Sequence, residues 1–225
     1  GLERVRLTPF GGPLAARRLA DLAPRRWLNE LRFDLSLGFA EAAPLAAAFR
    51  TEPGGAFGAA YAERLVRLPI ASRGFLTGSI DLVVPLPTAD GQECWWVLDW
   101  KSNWLGRRDA SGRPLQCGPS DYGEGAMVSL MAAGHYPLQA HLYLVALHRY
   151  LRWRLRDYDP LRHLGGYAYV FLRGVPGPRA AAWAARGRVV PGMMVEKPPL
   201  ERLLALDAAL GNTAAPGWRS LEDLE

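Results

Sequence analysis

The sequence predicts an α/β fold, a central mixed sheet flanked by helices. Three stretches carry that expectation. NELRFDLSL, 29–37, alternates apolar and polar residues. Two β-rich runs, GFLTGSIDLVVPL and WWVLDWKSNW, bracket an Asp-Gly pair and predict an antiparallel hairpin over 75–101. From Pro137 a helical pattern, PLQAHLYLVALHRYLRWRLRDY, runs for about 20 residues.

Taken in chain order, residues 13–33 carry Leu14, Leu19, Leu22, Trp27, Leu28 and Leu31, an irregular helical pattern broken at Pro24. Within 29–37, Leu31, Phe33, Leu35 and Leu37 share one face; Glu30, Arg32, Asp34 and Ser36 share the other. A period of two means a half-buried strand. Residues 39–70 read as mostly helical, interrupted by Pro-Gly-Gly at 53–55. The first hairpin strand ends at Pro85 and Pro87, and TADGQE, 88–93, supplies the turn with Asp90-Gly91. Residues 105–126 are rich in Gly, Pro, Arg and Ser and predict a long loop, a length that usually serves function. Pro137 suits the first turn of the long helix. YAYVFLRGV, 167–175, reads as a buried strand ended by Gly174 and Pro176. A Pro/Gly break follows at 191–199, then a last helix, PLERLLALDAAL, stopped by Gly211. No internal repeat is visible.

Composition narrows the function classes. A chain of 225 residues predicts one domain, 1–225, and a first residue of Gly rather than Met is expected of a piece of a longer protein. Nearly half the residues are hydrophobic and eight are Trp, which excludes a disordered chain. There is no signal-peptide pattern, and no apolar run approaches the roughly 18–20 residues a membrane span needs. No membrane partner is expected. Cys94 and Cys117 are too few for a disulfide framework, a structural zinc site or an iron–sulfur cluster. A reducing cytoplasm is the expected compartment. A net charge of +5 is compatible with a polyanionic partner. Among 27 Lys and Arg residues only Lys101 and Lys197 are lysine, so a lysine kept at 101 invites a chemical reason.

The chemistry centres on WWVLDWKSNW. Residues two apart on a strand share a face, so Asp99 and Lys101 point one way and Trp100 the other. The partner strand carries Asp81, which a hairpin brings near Asp99. Two close carboxylates need a proton or a cation between them. A divalent metal on Asp81 and Asp99, with an ammonium alongside, is the outline of a phosphodiester-hydrolysing site. The alternative is an ion pair on the wet side of a sheet, the common fate of D-x-K.

Wider context bears on that choice. In order along the chain stand G-S-I-D-L-V-V, L-D-W-K-S-N-W-L-G, Y-P-L-Q-A-H-L-Y-L-V-A-L-H-R-Y-L and G-G-Y-A-Y-V-F-L-R-G-V. Over about residues 25–210 this order resembles the C-terminal nuclease domain of the exodeoxyribonuclease V beta-subunit (RecB) family, in the PD-(D/E)xK superfamily. D-x-K alone is weak; the four blocks together are specific.

The resemblance implies a restriction-endonuclease-like α/β fold, a Mg²⁺ cofactor and DNA cleavage with little sequence specificity. It implies that Asp81 and Asp99 are metal carboxylates, that the Trp100 carbonyl is a neighbouring ligand, and that Lys101 is the catalytic lysine. Glu30 matches the acid of the preceding block and acts through a metal-bound water; otherwise it is a solvated residue on a strand's polar face. Gln139 and Tyr143 match Q-x-x-x-Y and share one helix face. Gln139 then addresses the attacking water, and Tyr143 the DNA backbone or the site's packing; the alternative is a polar seam. The family's upstream helix carries a His ligand in a G-T-x-x-H-x-x-L-E-like motif. No such motif occurs here, and His135, His141, His148 and His163 all lie downstream. All four are expected to be structural or exposed, and a site without the His is expected to hold metal weakly.

Candidate DNA contacts are Arg107 and Arg108 in the long loop, with Arg113, and Trp104 as a stacking or packing residue. Arg149, Arg152, Arg154 and Arg156 form an alternative basic stripe, offset by Asp157 and Asp159. No Walker motif is present. The resemblance implies a helicase elsewhere in the same protein, single- and double-stranded DNA as substrates, and the gamma and alpha subunits and a strand-exchange recombinase as partners. The competing expectation is a catalytically inactive docking domain, against which the intact Asp81, Asp99 and Lys101 speak.

Overall fold

The computed structural model describes residues 2–22, 26–51, 55–87, 91 and 93–211. Of the expected turns and breaks, Pro24, the Pro53-Gly54 pair and Asp90 lie outside the described residues. Five strands make one sheet in the order β1-β2-β3-β4-β5: β1 Leu28–Glu41, β2 Ala71–Pro87, β3 Glu93–Lys101, β4 Leu164–Phe171 and β5 Met193–Glu196. The helices are α1 Leu2–Leu7, α2 Ala42–Ala48, α3 Ala59–Leu65, α4 Glu124–Ala133, α5 Tyr136–Arg154, α6 Pro160–His163, α7 Ala181–Ala184 and α8 Leu200–Ala209. The sheet is mixed, because β3 pairs with β4 in parallel while the other neighbours are antiparallel. A mixed sheet with helices on both faces is the α/β architecture expected, and it is consistent with a restriction-endonuclease-like fold.

Each sheet face closes one core. On the first face Ile80, Val83, Val97, Tyr167 and Tyr169 pack against Phe49, Leu65, Met127, Leu144, Val145 and Leu203 from α2's end, α3, α4, α5 and α8. On the second face Leu82, Val84, Trp96, Leu98, Ala168 and Val170 meet Val5, Phe10, Leu14, Ala180 and Ala184. Every residue of β4 is buried, as its continuous apolar run requires of a strand covered on both faces. Each large side chain so buried contributes about 1.5–3 kcal/mol. At Gly166 an added Cβ would overlap the Glu196 main-chain carbonyl, so only glycine lets β5 pair this closely.

The alternation over 29–37 appears as written, but the strand is longer. It starts at Leu28 and runs through a register shift between Leu37 and Ala40 to Glu41. Gly38 meets Gly211, whose φ of 73° ends α8 in the left-handed turn that glycine allows. The helical pattern over 13–33 yields only the 3-10 turns Gly12–Leu14 and Leu19–Asp21; Ala15 at φ 48° breaks the chain between them. The loop read over 105–126 is shorter, because a turn at Pro119–Asp121 leads into α4 from Glu124. The buried strand begins at Leu164, three residues before the expected 167. Neither α1 nor β5 is expected from the sequence pattern. Among the described residues no helix is long and apolar enough to cross a membrane.

His141 belongs to the first core. It is wholly buried against Phe49 and Tyr167, with ring centroids 4.6 and 5.8 Å away, and its Nδ1 lies 2.6 Å from the Pro137 carbonyl. Burial pushes its pKa down to about 3; the Pro137 carbonyl opposes the shift and the Arg202 charge adds to it. The unfolded chain therefore takes up this proton first as pH falls. The stability held by a neutral His141 is complete above about pH 6.5 and is lost towards the folded value near 3. Denaturant titrations should show unfolding free energy dropping through this window with a slope approaching about 1.4 kcal/mol per pH unit from this residue. In His141→Asn, which retains a donor for the Pro137 carbonyl, that part of the slope should vanish.

Candidate active site

The β2–β3 register puts the acids together. Main-chain pairing runs from Pro87↔Glu93 to Leu82↔Leu98, and one further step in the same register sets Asp81 opposite Asp99. There the ladder gives way to a side chain: the Trp100 N–H donates to Asp81 Oδ2 at 3.0 Å. On the other side of Asp81, Glu30 holds the β1 position between Asn29↔Leu82 and Leu31↔Ile80. Glu30 is exposed and has φ 49°, a left-handed value that costs a non-glycine strand residue about 1 kcal/mol or more. The two strands exchange faces here. Leu31 and Ile80 meet the first core, yet so do Leu28 and Val83, three positions away in each strand. This switch turns Asp81 to the face that Asp99 and Lys101 occupy.

That face is not open. Asp99 is only 3% exposed, and its Oδ2 lies 2.6 Å from Lys101 Nζ. The contact is an ion pair without hydrogen-bond alignment, since Oδ2 has no partner of proper angle among the described residues. The alternative reading places this ion pair on the wet side of the sheet; the pair is present but buried. Helix α5 lies across the end of β3 and covers both charges. Burial holds the Asp99 carboxyl above the usual range; Lys101 pulls it down and the Asp81 charge raises it further.

Helix α5 presents Gln139 and Tyr143 from adjacent turns, as the i, i+4 spacing requires. Lys101 Nζ donates to Gln139 Oε1 at 3.1 Å, and Gln139 Nε2 donates to the Tyr143 hydroxyl at 3.0 Å. Tyr143 packs edge-on against Phe33 of β1, 5.9 Å between centroids. Burial pushes its hydroxyl up to about 12, with Asp99 and Asp81 adding.

Two tyrosines not singled out in the sequence complete the enclosure. Tyr169 of β4 donates to Gln139 Oε1 at 2.9 Å, and Tyr136, first in α5, donates to Asn103 Oδ1 at 3.2 Å. Lys101 Nζ stands over both rings, 4.2 Å from Tyr136 and 4.8 Å from Tyr169. A signal existed for Tyr169: YAYVF alternates, and a strand parallel to β3 turns one of its faces towards Lys101. Tyr136 stands just before the helix read from Pro137 and gave no such hint.

The remaining candidates lie apart from this cluster. Arg107 and Arg108 are exposed on a loop closed by the Arg108↔Pro114 bridge, and Arg108 covers the Trp104 ring at 4.9 Å. Trp104 therefore packs beneath an arginine rather than standing free. Arg149 belongs to the fold, since its Nε meets buried Asp207 at 2.6 Å. Arg154 stacks on Trp153. The four His are structural: His135 Nδ1 meets Tyr61, His148 Nδ1 meets Tyr158, His163 Nδ1 meets the Asp159 main chain, and His141 is in the core.

The donor set suits a hard cation. Two opposed carboxylates and a nearby main-chain carbonyl are oxygen ligands of the type Mg²⁺ takes with retained waters. Asp99 Oδ2, buried and lacking an aligned partner, is the atom a cation would satisfy. Among the described residues no group of three His, Cys, Asp or Glu comes close enough to hold a metal by side chains alone. The fit is therefore to two carboxylates, with water and main chain supplying the rest.

No family model matches the chain. Among curated proteins it is 38% identical over 218 residues to the RecB subunit of the RecBCD enzyme of Mycobacterium tuberculosis, covering 90% of this chain and 18% of that protein. It is 41% identical over 155 residues to the RecB subunit of Mycolicibacterium smegmatis, which is 68% of this chain and 13% of that protein. To the RecB subunit of Escherichia coli it is 48% identical over 103 residues, 46% of this chain and 8% of that protein. The chain thus spans less than a fifth of the length of these relatives. With that identity sustained over nine-tenths of its length, and with the Asp81, Asp99 and Lys101 cluster in its sheet, the chain is a RecB-like domain.

Proposed function

We propose that residues 1–225 form the nuclease domain of a helicase–nuclease, a Mg²⁺-dependent deoxyribonuclease that hydrolyses phosphodiester bonds with little sequence specificity. The observation that carries this reading is the buried Asp99–Lys101 pair, set opposite Asp81 and roofed by Gln139. A docking domain needs no buried ion pair with an orphaned carboxylate oxygen, because such a pair is no more stabilising than well-packed apolar residues.

In this reading Asp81 and Asp99 hold the metal, with the Trp100 carbonyl as a third ligand. A strand residue's N–H and C=O point towards the same neighbour; the Trp100 N–H already meets Asp81, so its carbonyl faces the same way. When bound, Mg²⁺ neutralises phosphate charge and lowers the pKa of a coordinated water. Lys101 orients the attacking water and stabilises charge building on the phosphoryl oxygens. Gln139 fixes Lys101 through Oε1, and the second N–H of its amide remains for water. Tyr143 buttresses Gln139. Glu30, exposed beside Asp81, acts through a metal-bound water. Arg107 and Arg108 contact the DNA backbone, with Trp104 supporting them. The relatives' name, RecBCD enzyme subunit RecB, supports assembly with partner subunits; that these are the gamma and alpha subunits, acting on DNA in break repair and recombination in the cytoplasm, is part of what we propose. Loading of a strand-exchange recombinase belongs to the same proposal.

Asp99→Ala in the full-length enzyme should lower Mg²⁺-dependent degradation of linear DNA by about 100-fold or more while unwinding continues. Undiminished cleavage by that variant would remove the site assignment. The loop arginines predict a separate effect. Arg107→Ala with Arg108→Ala should weaken DNA binding uniformly across sequences and lower the slope of log affinity against log salt by about two. An unchanged salt slope would place the DNA elsewhere.

A further inference from the structure

Lysine carries its ammonium on a flexible four-carbon stem, so the position of Nζ depends on what surrounds it. Around Lys101 stand two aromatic faces from two elements, the first turn of α5 and the middle of β4. The Tyr136 and Tyr169 rings lie 5.8 Å apart, inclined by 30°, with Nζ over both. The Tyr136 hydroxyl is tied to Asn103 just beyond β3, and the Tyr169 hydroxyl to Gln139, the same amide oxygen that Lys101 meets. The negative faces of the rings attract the cation and exclude water from two sides. The ammonium carries three donors: one meets Gln139, and Asp99 Oδ2 lies 2.6 Å away as an ion pair without hydrogen-bond alignment.

We propose that Tyr136 and Tyr169 are positioning residues whose adjoining rings seat the Lys101 ammonium beside the carboxylates. The proposal rests on the nuclease reading above. Aliphatic side chains would fill the same volume but would not hold a charge in place. A displacement of about 1 Å at a reacting group costs up to about 100-fold in rate. The rings, rather than their hydroxyls, are the parts that touch Nζ.

The test uses the full-length enzyme in its assembly. Tyr136→Leu and Tyr136→Phe come first, because Tyr136 is half-buried at a helix start, whereas Tyr169 is fully buried. Two quantities are measured: steady-state cleavage with unwinding as the folding control, and acylation of Lys101 relative to Lys197 by N-hydroxysuccinimidyl acetate, read from peptide masses. Lys197 is exposed and serves as an internal reference in the same domain. Tyr136→Leu should lower kcat about tenfold with KM for DNA unchanged, and should raise the Lys101 to Lys197 labelling ratio several-fold. Tyr136→Phe should restore both to within about twofold of the unsubstituted enzyme. A labelling ratio unmoved by Tyr136→Leu overturns the proposal, as does a Phe variant impaired as strongly as Leu. Should Lys101→Ala leave cleavage intact, the nuclease reading fails, and the labelling ratio still decides whether the rings hold the ammonium.

Discussion

The ion pair between Asp99 and Lys101 is shut inside the protein, at 2.6 Å, beneath a helix and beside a fully buried strand. Removing each ion from water costs several kcal/mol even after relaxation, and the attraction between them roughly offsets this only when neighbours supply the remaining polar contacts. Those neighbours fix much of the architecture. Gln139 places α5, Tyr169 places β4, Tyr136 ties the start of α5 to the loop after β3, and the Trp100 N–H ties Asp81 to the hairpin. Removing either ion alone would leave the other buried and unpaired, at about 3–5 kcal/mol. Burial, with the Asp81 charge nearby, raises the Asp99 pKa, and a cation beside both carboxylates would offset that cost.

Topology explains why the cluster sits where it does. β3 and β4 run in parallel, so both leave the sheet at the same edge, Lys101 level with Phe171. Ligands of open α/β sheets gather outside the carboxyl ends of such strands. β1 runs the same way as β3 and β2 runs against both, and the exchange of faces at Glu30 and Asp81 brings a second carboxylate to this edge. A strained backbone at Glu30, between the regular pairs Asn29↔Leu82 and Leu31↔Ile80, fits a functional constraint better than a folding one.

Much of this was legible in the residues. The alternation through 29–37, the hairpin around an Asp-Gly pair and the long helix from Pro137 are local patterns, and local patterns survive folding. The shared face of Asp99 and Lys101 follows from strand geometry alone, as the shared face of Gln139 and Tyr143 follows from the helix. Other features needed tertiary information. Burial of the charges depends on where α5 is laid, which no window of sequence states. β5 has four residues and α1 six, too short for periodicity to register, and α4 hides in a Gly-rich run. The Tyr136 and Tyr169 rings beside Lys101 bring together residues 33 apart in the chain against a lysine on a third element. The departure from the family's His is legible too: the four His present are each engaged elsewhere in the fold.

The central claim is that Asp81 and Asp99 share a divalent cation. Anomalous diffraction from crystals of the enzyme soaked in Mn²⁺, a stand-in for Mg²⁺, tests it directly. The account predicts a peak between the two carboxylates that disappears in Asp99→Ala. A metal bound away from both, or a peak that persists in that variant, would contradict it.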